Sequence, residues 1–425
     1  MKLTPFWTDN FPRPADMPTS VLPEQVEVAI IGGGYTGLSA ARTFAKSGAT
    51  VAVLEQNQIG SGASSMNGGL VLTGLKEGGP DLVKHYGPEL GRELWEASIE
   101  AVHTVQRTVE EEQIDCHLTM NGGMMVAYKP KHYDALARSR DWTARELDYH
   151  EEVLIPADKM RDHLGSDAFF GGLLDRIGGG LHPAKYVYGM AKGAAKAGAM
   201  LCEQTQVQRV NRIEGSTDFT ILTSQGELRA SQVLVATNGY TDTAIKGMKR
   251  RVFPVGSYMI ATPPVSPALQ QELSPQGHVF YDTKNFLNYF QLTHDGRVAL
   301  GGRNDLSTDL DLVESATNLR TAMTRIFPQA RNLPITHSWS GKLGITFDLM
   351  PHIGQIEGVY YAFGYCGHGV TIATYLGQQV AKLMTGQITR SPFVEVHHPT
   401  YFFYRDKPWF LPLAAAFYRV LDRLT

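Results

Sequence analysis

Three glycines in G-x-G-x-x-G spacing, Gly32, Gly34 and Gly37, stand where an apolar run, "EVAII", gives way to a helical pattern. The chemistry served by this spacing is contact between main chain and a pyrophosphate. The first glycine permits a tight turn, the second lets the phosphates approach the backbone, and the third lets helix and strand pack closely. Tyr35 and Thr36 open the helix, whose free N–H groups and dipole favour negative charge. Glu55 follows Gly37 by eighteen positions at the end of a second strand, with Gln56 next to it. An acid at that distance typically accepts hydrogen bonds from ribose hydroxyls. Strand, glycines, helix, strand and acid in this order indicate a bound dinucleotide without saying which one.

Elements must hold these groups in place. Glu27–Ile31 reads as a strand, Leu38 to Lys46 as the continuing helix and "TVAVLE" as the second strand. A loop dense in Gly and Ser follows, then a helix from about Glu89 to Glu112. "LTMNGGMMVAY" reads as a hairpin, "HYDALARSRDWTARELDY" as a helix, "FFGGLLD" as a strand and Pro183 to Gly198 as a helix. "TQVQRVNRI", "FTILTS" and "SQVLVATNGY" make one β-rich block, and Val252 to Arg303 makes a second. In the second block the strands alternate and carry many aromatics, as antiparallel strands do when one face lines a pocket. Tyr258, Tyr281, Phe286, Tyr289 and Arg303 are its candidates for that face. Leu312 to Phe327 is a helix, and "PHIGQIEGVYYAFGYCGHGVTIATYLGQQVAKLM" returns to strand, loop and helix.

At 425 residues the chain exceeds the roughly 250–300 beyond which single cores divide. The expected architecture is α/β, a Rossmann-like domain interleaved with an antiparallel-sheet substrate domain of α+β type. The first domain takes residues 1–86, 175–248 and 340–390, and the second takes 87–174 and 249–339. Residues 391–425 form a tail whose amphipathic helix carries Phe410, Leu413, Phe417, Val420 and Leu424. A net charge of −3 gives no reason to expect nucleic acid. Cys116, Cys202 and Cys366 are too sparse for a disulfide framework or a zinc site and fit a reducing, cytoplasmic setting. The N-terminus has no apolar core of a signal peptide, and no run approaches the ~18 apolar residues of a spanning helix.

Three later stretches narrow the cofactor. "QVLVATNGYTD" is an apolar strand opening at Thr237, Asn238 and Gly239, and "TQVQRV" offers the Val207 backbone to an adenine edge. "GYCGHGV" sets Gly367, His368 and Gly369 at a helix start, followed by Val370 and Thr371. With "GGGYTGLSAA", "GASSMNGG", "ATNGYT" and "DLMPHIG", these make five ordered motifs. On them the chain resembles the FAD-dependent amine and amino-acid oxidoreductases of the D-amino-acid oxidase and sarcosine oxidase fold. Within that family it is most similar to the γ-glutamylputrescine oxidase-like branch.

The resemblance implies FAD. The ADP half would lie over the first glycines and Glu55, and the loop Gly62, Ala63, Ser64, Ser65, Met66, Asn67, Gly68, Gly69 and Leu70 would meet the cofactor. The helix opening at Gly369 would point its N-terminus at the flavin. A nicotinamide enzyme has no use for that second terminus. Relatives with covalent flavin carry a histidine in the loop matching "SSMNGG", where Met66 stands, or a cysteine close to "WSGKLG", where there is none, so FAD is expected to be non-covalent. His368 either packs its ring beside the flavin or stabilises charge there. Sarcosine oxidases carry lysines at the positions of Thr371 and Ala299; the first loss argues against a small α-amino acid gripped in that way. The expected activity is oxidation of a primary or secondary amine to an imine that hydrolyses, with O2 or a quinone as electron acceptor. Arg303, Tyr281, Tyr258 and His368 are the candidate catalytic residues. Alternatives are an N-methyl amino-acid oxidase or dehydrogenase and a non-catalytic FAD-binding module. The C-terminal helix is expected to cover a domain or subunit face or to lie on a membrane surface.

Overall fold

The computed structural model describes residues 1–303 and 305–424, with side chains described as far as Asp422. Leu424 of the C-terminal stripe therefore lies outside the described side chains. Two eight-stranded sheets organise the chain.

In the first sheet Gln25–Ile31 lies between Val51–Leu54 and Gly226–Val235, parallel to both, with Ile31 opposite Leu54 and Val235. Val51–Leu54 is buried at every position, so its apolar run covers both faces. Met200–Cys202 extends this sheet on one side, and Val359–Phe363 and His352–Ile356 extend it on the other. Helices Tyr35–Lys46 and Gly369–Met384 cross in close contact. A Cβ at Gly377 would run into the Thr36 carbonyl oxygen, and Ser39 Oγ donates to Thr374 O at 2.6 Å. That approach brings both helix N-termini to one end of the sheet.

The second sheet runs in the order His337–Ile345, Phe253–Ala261, Val298–Gly302, Asn288–Leu292, Val279–Asp282, Gly123–Val126, Gly171–Asp175 and Glu152–Pro156. Its pairings are antiparallel except that Gly123–Val126 runs parallel to Val279–Asp282. The hairpin expected in "LTMNGGMMVAY" is therefore a single strand after a turn at Gly122, its neighbours supplied by distant segments. Strand His337–Ile345 belongs wholly to this sheet, across the expected boundary at 340. Helix Pro88–Glu111 buries Leu94, Ala101, Val102 and Val105 in the same core as Leu38 and Ile372 of the helices on the first sheet. Packing thus gives that helix to the first layer, although it was expected in the second domain.

Register fixes what each strand shows. Tyr281 faces Tyr289, Tyr289 faces Gly301, Gly301 faces Met259, and Met259 faces Trp339, so these five share one side. Tyr258 is one residue from Met259 and belongs to the other side, with Phe280, Phe290 and Leu300 in a separate core cluster.

On the tail helix Leu411–Leu424, Leu411 and Ala415 dock against Phe253, Val255 and Ile345. Leu413, Phe417 and Val420 of the expected stripe face outward, 52–68 % exposed, while Phe410 is half-buried on Phe253 and Phe347. Among the described residues no helix is long and apolar enough to cross a membrane.

Candidate functional site

The glycine turn divides its work. Gly32 leaves its strand at φ +109°, which L side chains rarely adopt, and a Cβ on Gly37 would run into the Gly32 carbonyl oxygen. These two shape the turn. Near a Cβ at Gly34 there is only the Ser64 side chain, whose hydroxyl oxygen lies 2.8 Å away and also accepts the Tyr35 N–H at 3.1 Å. Gly34 borders open space. Glu55 accepts from the Gly33 N–H at 2.8 Å on one oxygen and from the Asn57 N–H at 2.9 Å on the other. Burial raises its pKa, and those two N–H groups oppose the rise.

All of this opens on one cavity of about 630 Å³ walled by both sheets. Its lining includes Gly32, Gly34, Tyr35, Thr36, Glu55 and Gln56, then Gly62, Ala63, Ser64, Met66, Asn67, Gly68 and Leu70, and also Val207, Thr237 and Asn238. The turn Gly367–Thr371 completes that end. Gly37, Ser65, Gly69 and Gly239 stand behind the wall. Ser65 is buried, a Cβ at Gly69 would strike the Leu181 carbonyl, and one at Gly239 would lie 2.9 Å from the Leu343 backbone. Asn238, at φ +45°, turns its Oδ1 to the Gly364 N–H at 3.0 Å, so its side chain ties two strand ends together.

The Gly/Ser loop is fastened by residues the motifs do not contain. Trp7 Nε1 donates to Asn67 O at 2.8 Å, Trp339 Nε1 to Met66 O at 2.9 Å, and Gln291 Nε2 to Gly68 O. Met66 Cβ lies 3.3 Å from where a Cβ on Gly341 would stand. The two positions at which relatives were expected to link flavin covalently are thus neighbours, and neither is histidine or cysteine.

Beyond the loop, the cavity face of the second sheet brings Tyr281, Tyr289 and Arg303 together. Tyr289 OH bonds Ser257 Oγ at 3.0 Å. Tyr258 is a correction to the expected set. It is fully buried, its hydroxyl donates to Ser307 O at 2.8 Å and accepts from the Leu310 N–H at 3.0 Å, and it does not reach the cavity. Phe286 stands behind the wall, beneath the Arg419 guanidinium of the tail helix.

Arg303 has no hydrogen bond or carboxylate partner among the described residues, and a Cβ on Gly367 would come within 3.9 Å of its guanidinium. Lys76, which sequence reasoning missed although it follows Leu70 by six positions, lines the same end. Burial lowers the pKa of both cations, and for Lys76 the charge of Arg303 adds to the effect. His368 is pushed down to about 4, first by burial and then by Lys76 and Arg303, and its buried Nδ1 has no partner among the described residues. At neutral pH its ring is uncharged. Cys366 is buried against Thr346 and packs as a small residue. At the far end the cavity meets Trp95, Glu152 and Asp175, none of which any motif announces.

This arrangement suits an extended, doubly anionic cofactor. An open glycine turn, a carboxylate with oxygens bordering the cavity, and N–H groups at two helix starts face the same space.

Known proteins agree with that geometry. The family model described as FAD dependent oxidoreductase matches residues 27–383. A probable oxidoreductase OrdL of Haemophilus influenzae is 33 % identical over 88 % of this chain and 86 % of its own length. Gamma-glutamylputrescine oxidoreductase of Escherichia coli is 32 % identical over 94 % and 93 %. Among solved structures, glycine oxidase from Geobacillus kaustophilus superposes with a TM-score of 0.75 at 21 % identity, over 89 % of this chain and all of that one. At such identity this last likeness speaks for the fold.

Proposed function

The chain belongs to the FAD-dependent oxidoreductase family, and on that premise we propose that it oxidises an amine at the C–H bond beside nitrogen, giving an imine that water hydrolyses. The continuity of one cavity carries the reading: it runs from the glycine turn, past the Gly367–Thr371 turn, to the face bearing Tyr281, Tyr289 and Arg303. The Escherichia coli relative, matched over nearly its whole length, is named for an amine substrate, which supports the same class.

FAD, when bound, supplies a ring that accepts two electrons and a hydrogen from the substrate. Residues Gly32–Thr36 and Glu55 would hold its pyrophosphate and ribose, with the cavity-lining residues of the 62–70 loop, Val207 and Thr237 as further contacts. With Met66 and Gly341 at the two linkage positions, FAD is held without a covalent bond. The backbone N–H groups of Gly369, Val370 and Thr371 favour negative charge at the reacting end, the helix dipole contributing ~0.3–2 kcal/mol. Arg303 and Lys76 add positive potential there. An ammonium is repelled by it, so the amine enters as the neutral base that C–H oxidation requires. His368, neutral, adds no further positive charge. Tyr281 and Tyr289 wall the substrate and keep water from it.

The test is anaerobic mixing of the yellow holoenzyme with a panel of alkylamines and N-methyl amino acids. Bleaching of the flavin band by an amine, followed by recovery on admitting O2 or a quinone, is the expected result, and acid precipitation leaves free FAD in the supernatant. A flavin that no amine reduces overturns the reading.

A further inference from the structure

The far end of the cavity has a chemistry opposite to that of the Arg303 end. Glu152 and Asp175 are directly paired residues on adjacent antiparallel strands, so their carboxyls share one side of the sheet. Like charges so placed repel. Asp175 is fully engaged, accepting from Tyr149 OH at 2.9 Å, from the Ile177 N–H at 2.9 Å and from Thr73 Oγ1. Among the described residues the Glu152 carboxylate has no hydrogen-bond partner, and its Oε2 is buried. Burial, then the charge of Asp175, push its pKa up to about 7, with Arg140 acting the other way. Arg140 itself pairs with Asp141.

Two further observations point to a ligand. Trp95, only 5 % exposed, lines this end with its indole N–H unpartnered among the described residues. The Tyr281 hydroxyl, also without a partner among the described residues, lies in the field of both carboxylates. Met125, Leu136 and Leu173 give the connecting wall an apolar surface. Asp175 stands two strand spacings from Val279, two residues before Tyr281, which places Asp175 and Tyr281 about 12 Å apart.

We propose that this end is a subsite for a second cationic group of the substrate, a primary ammonium carried on an aliphatic arm. Glu152 takes the ammonium, the rings of Trp95 and Tyr281 stand beside it, and the indole N–H bonds an acceptor oxygen of the substrate or of its water. The substrate class is then an extended diamine-like molecule, oxidised at one nitrogen and anchored by the other. The inference rests on the amine reading above and narrows it.

Calorimetric titration of the holoenzyme with 1,8-diaminooctane and with octylamine tests the subsite, in wild type and in Glu152→Gln. The variant folds, because the free carboxylate has no partner to lose. The diamine is expected to bind at least about tenfold tighter than the monoamine in wild type, and within about twofold of it in Glu152→Gln. Equal affinities in wild type, or a preference that survives Glu152→Gln, overturn the subsite. Anaerobic flavin reduction by the same two compounds separates the readings. Reduction without diamine preference removes the subsite and keeps amine oxidation. Glu152-dependent diamine binding without reduction removes amine oxidation and keeps the subsite.

Discussion

The two ends of the cavity are made of different material. At the Gly32–Thr36 end the groups are main-chain N–H donors, and nearly all come from stretches continuous in sequence. At the Tyr281–Arg303 end the groups are side chains, one per strand, gathered from segments as far apart as Lys76 and Arg303. Backbone recognition tolerates almost any side chain but no added Cβ at the shaping glycines. Side-chain recognition tolerates backbone variation and fails when a strand shifts by one residue. The first end therefore suits a constant ligand, the second a ligand that differs between relatives.

Substitutions can press on that contrast. Gly37→Val carries the largest expected effect, since the new side chain meets the Gly32 carbonyl rather than a movable group. A loss above about 4 kcal/mol is expected, read as a collapse of Tm and of flavin content together. Gly34→Val sharpens the point, because only the Ser64 side chain is near. It keeps Tm close to wild type and loses flavin, and a yellow Gly34→Val protein breaks the assignment of the turn.

At the other end, Arg303→Ala leaves FAD content unchanged and slows flavin reduction by the best amine about ten- to hundredfold. A wild-type rate makes Arg303 a strand-end charge with no part in the reaction.

The mildest pair tests parity. Tyr258→Phe removes a hydroxyl that bonds Ser307 and Leu310. It costs roughly 1–2 kcal/mol of stability without changing flavin reduction. Tyr281→Phe does the reverse, altering amine affinity while leaving Tm in place. Should Tyr258→Phe be the kinetic variant, the register of the second sheet is misread.

The same contrast explains what the sequence disclosed. Gly32, Gly34, Gly37, Glu55 and the Gly367–Thr371 turn are legible because local backbone geometry dictates both residue type and spacing. The face of the second sheet is only half legible. Alternation within one strand is visible, but which alternate faces the cavity depends on the partner strand, so Tyr258 was grouped with Tyr281. Lys76, Trp95 and Glu152 leave no local trace, since a group without a partner is defined by what the fold fails to place beside it. Asn238 shows the converse: a residue inside a recognisable motif whose side chain secures strand ends while its backbone borders the cavity.

Trp7 and Trp339 hold the 66–67 loop by their indole N–H groups, both rings are buried behind that loop, and the buried Trp95 lines the cavity itself. Indole emission overlaps flavin absorption, so these three rings would transfer their excitation to a cofactor bound in the cavity. Trp409, 61 % exposed on the tail, lies away from that wall. The protein thus carries its own optical gauge of occupancy: loading would darken the buried rings, and release of FAD would restore their light without any label.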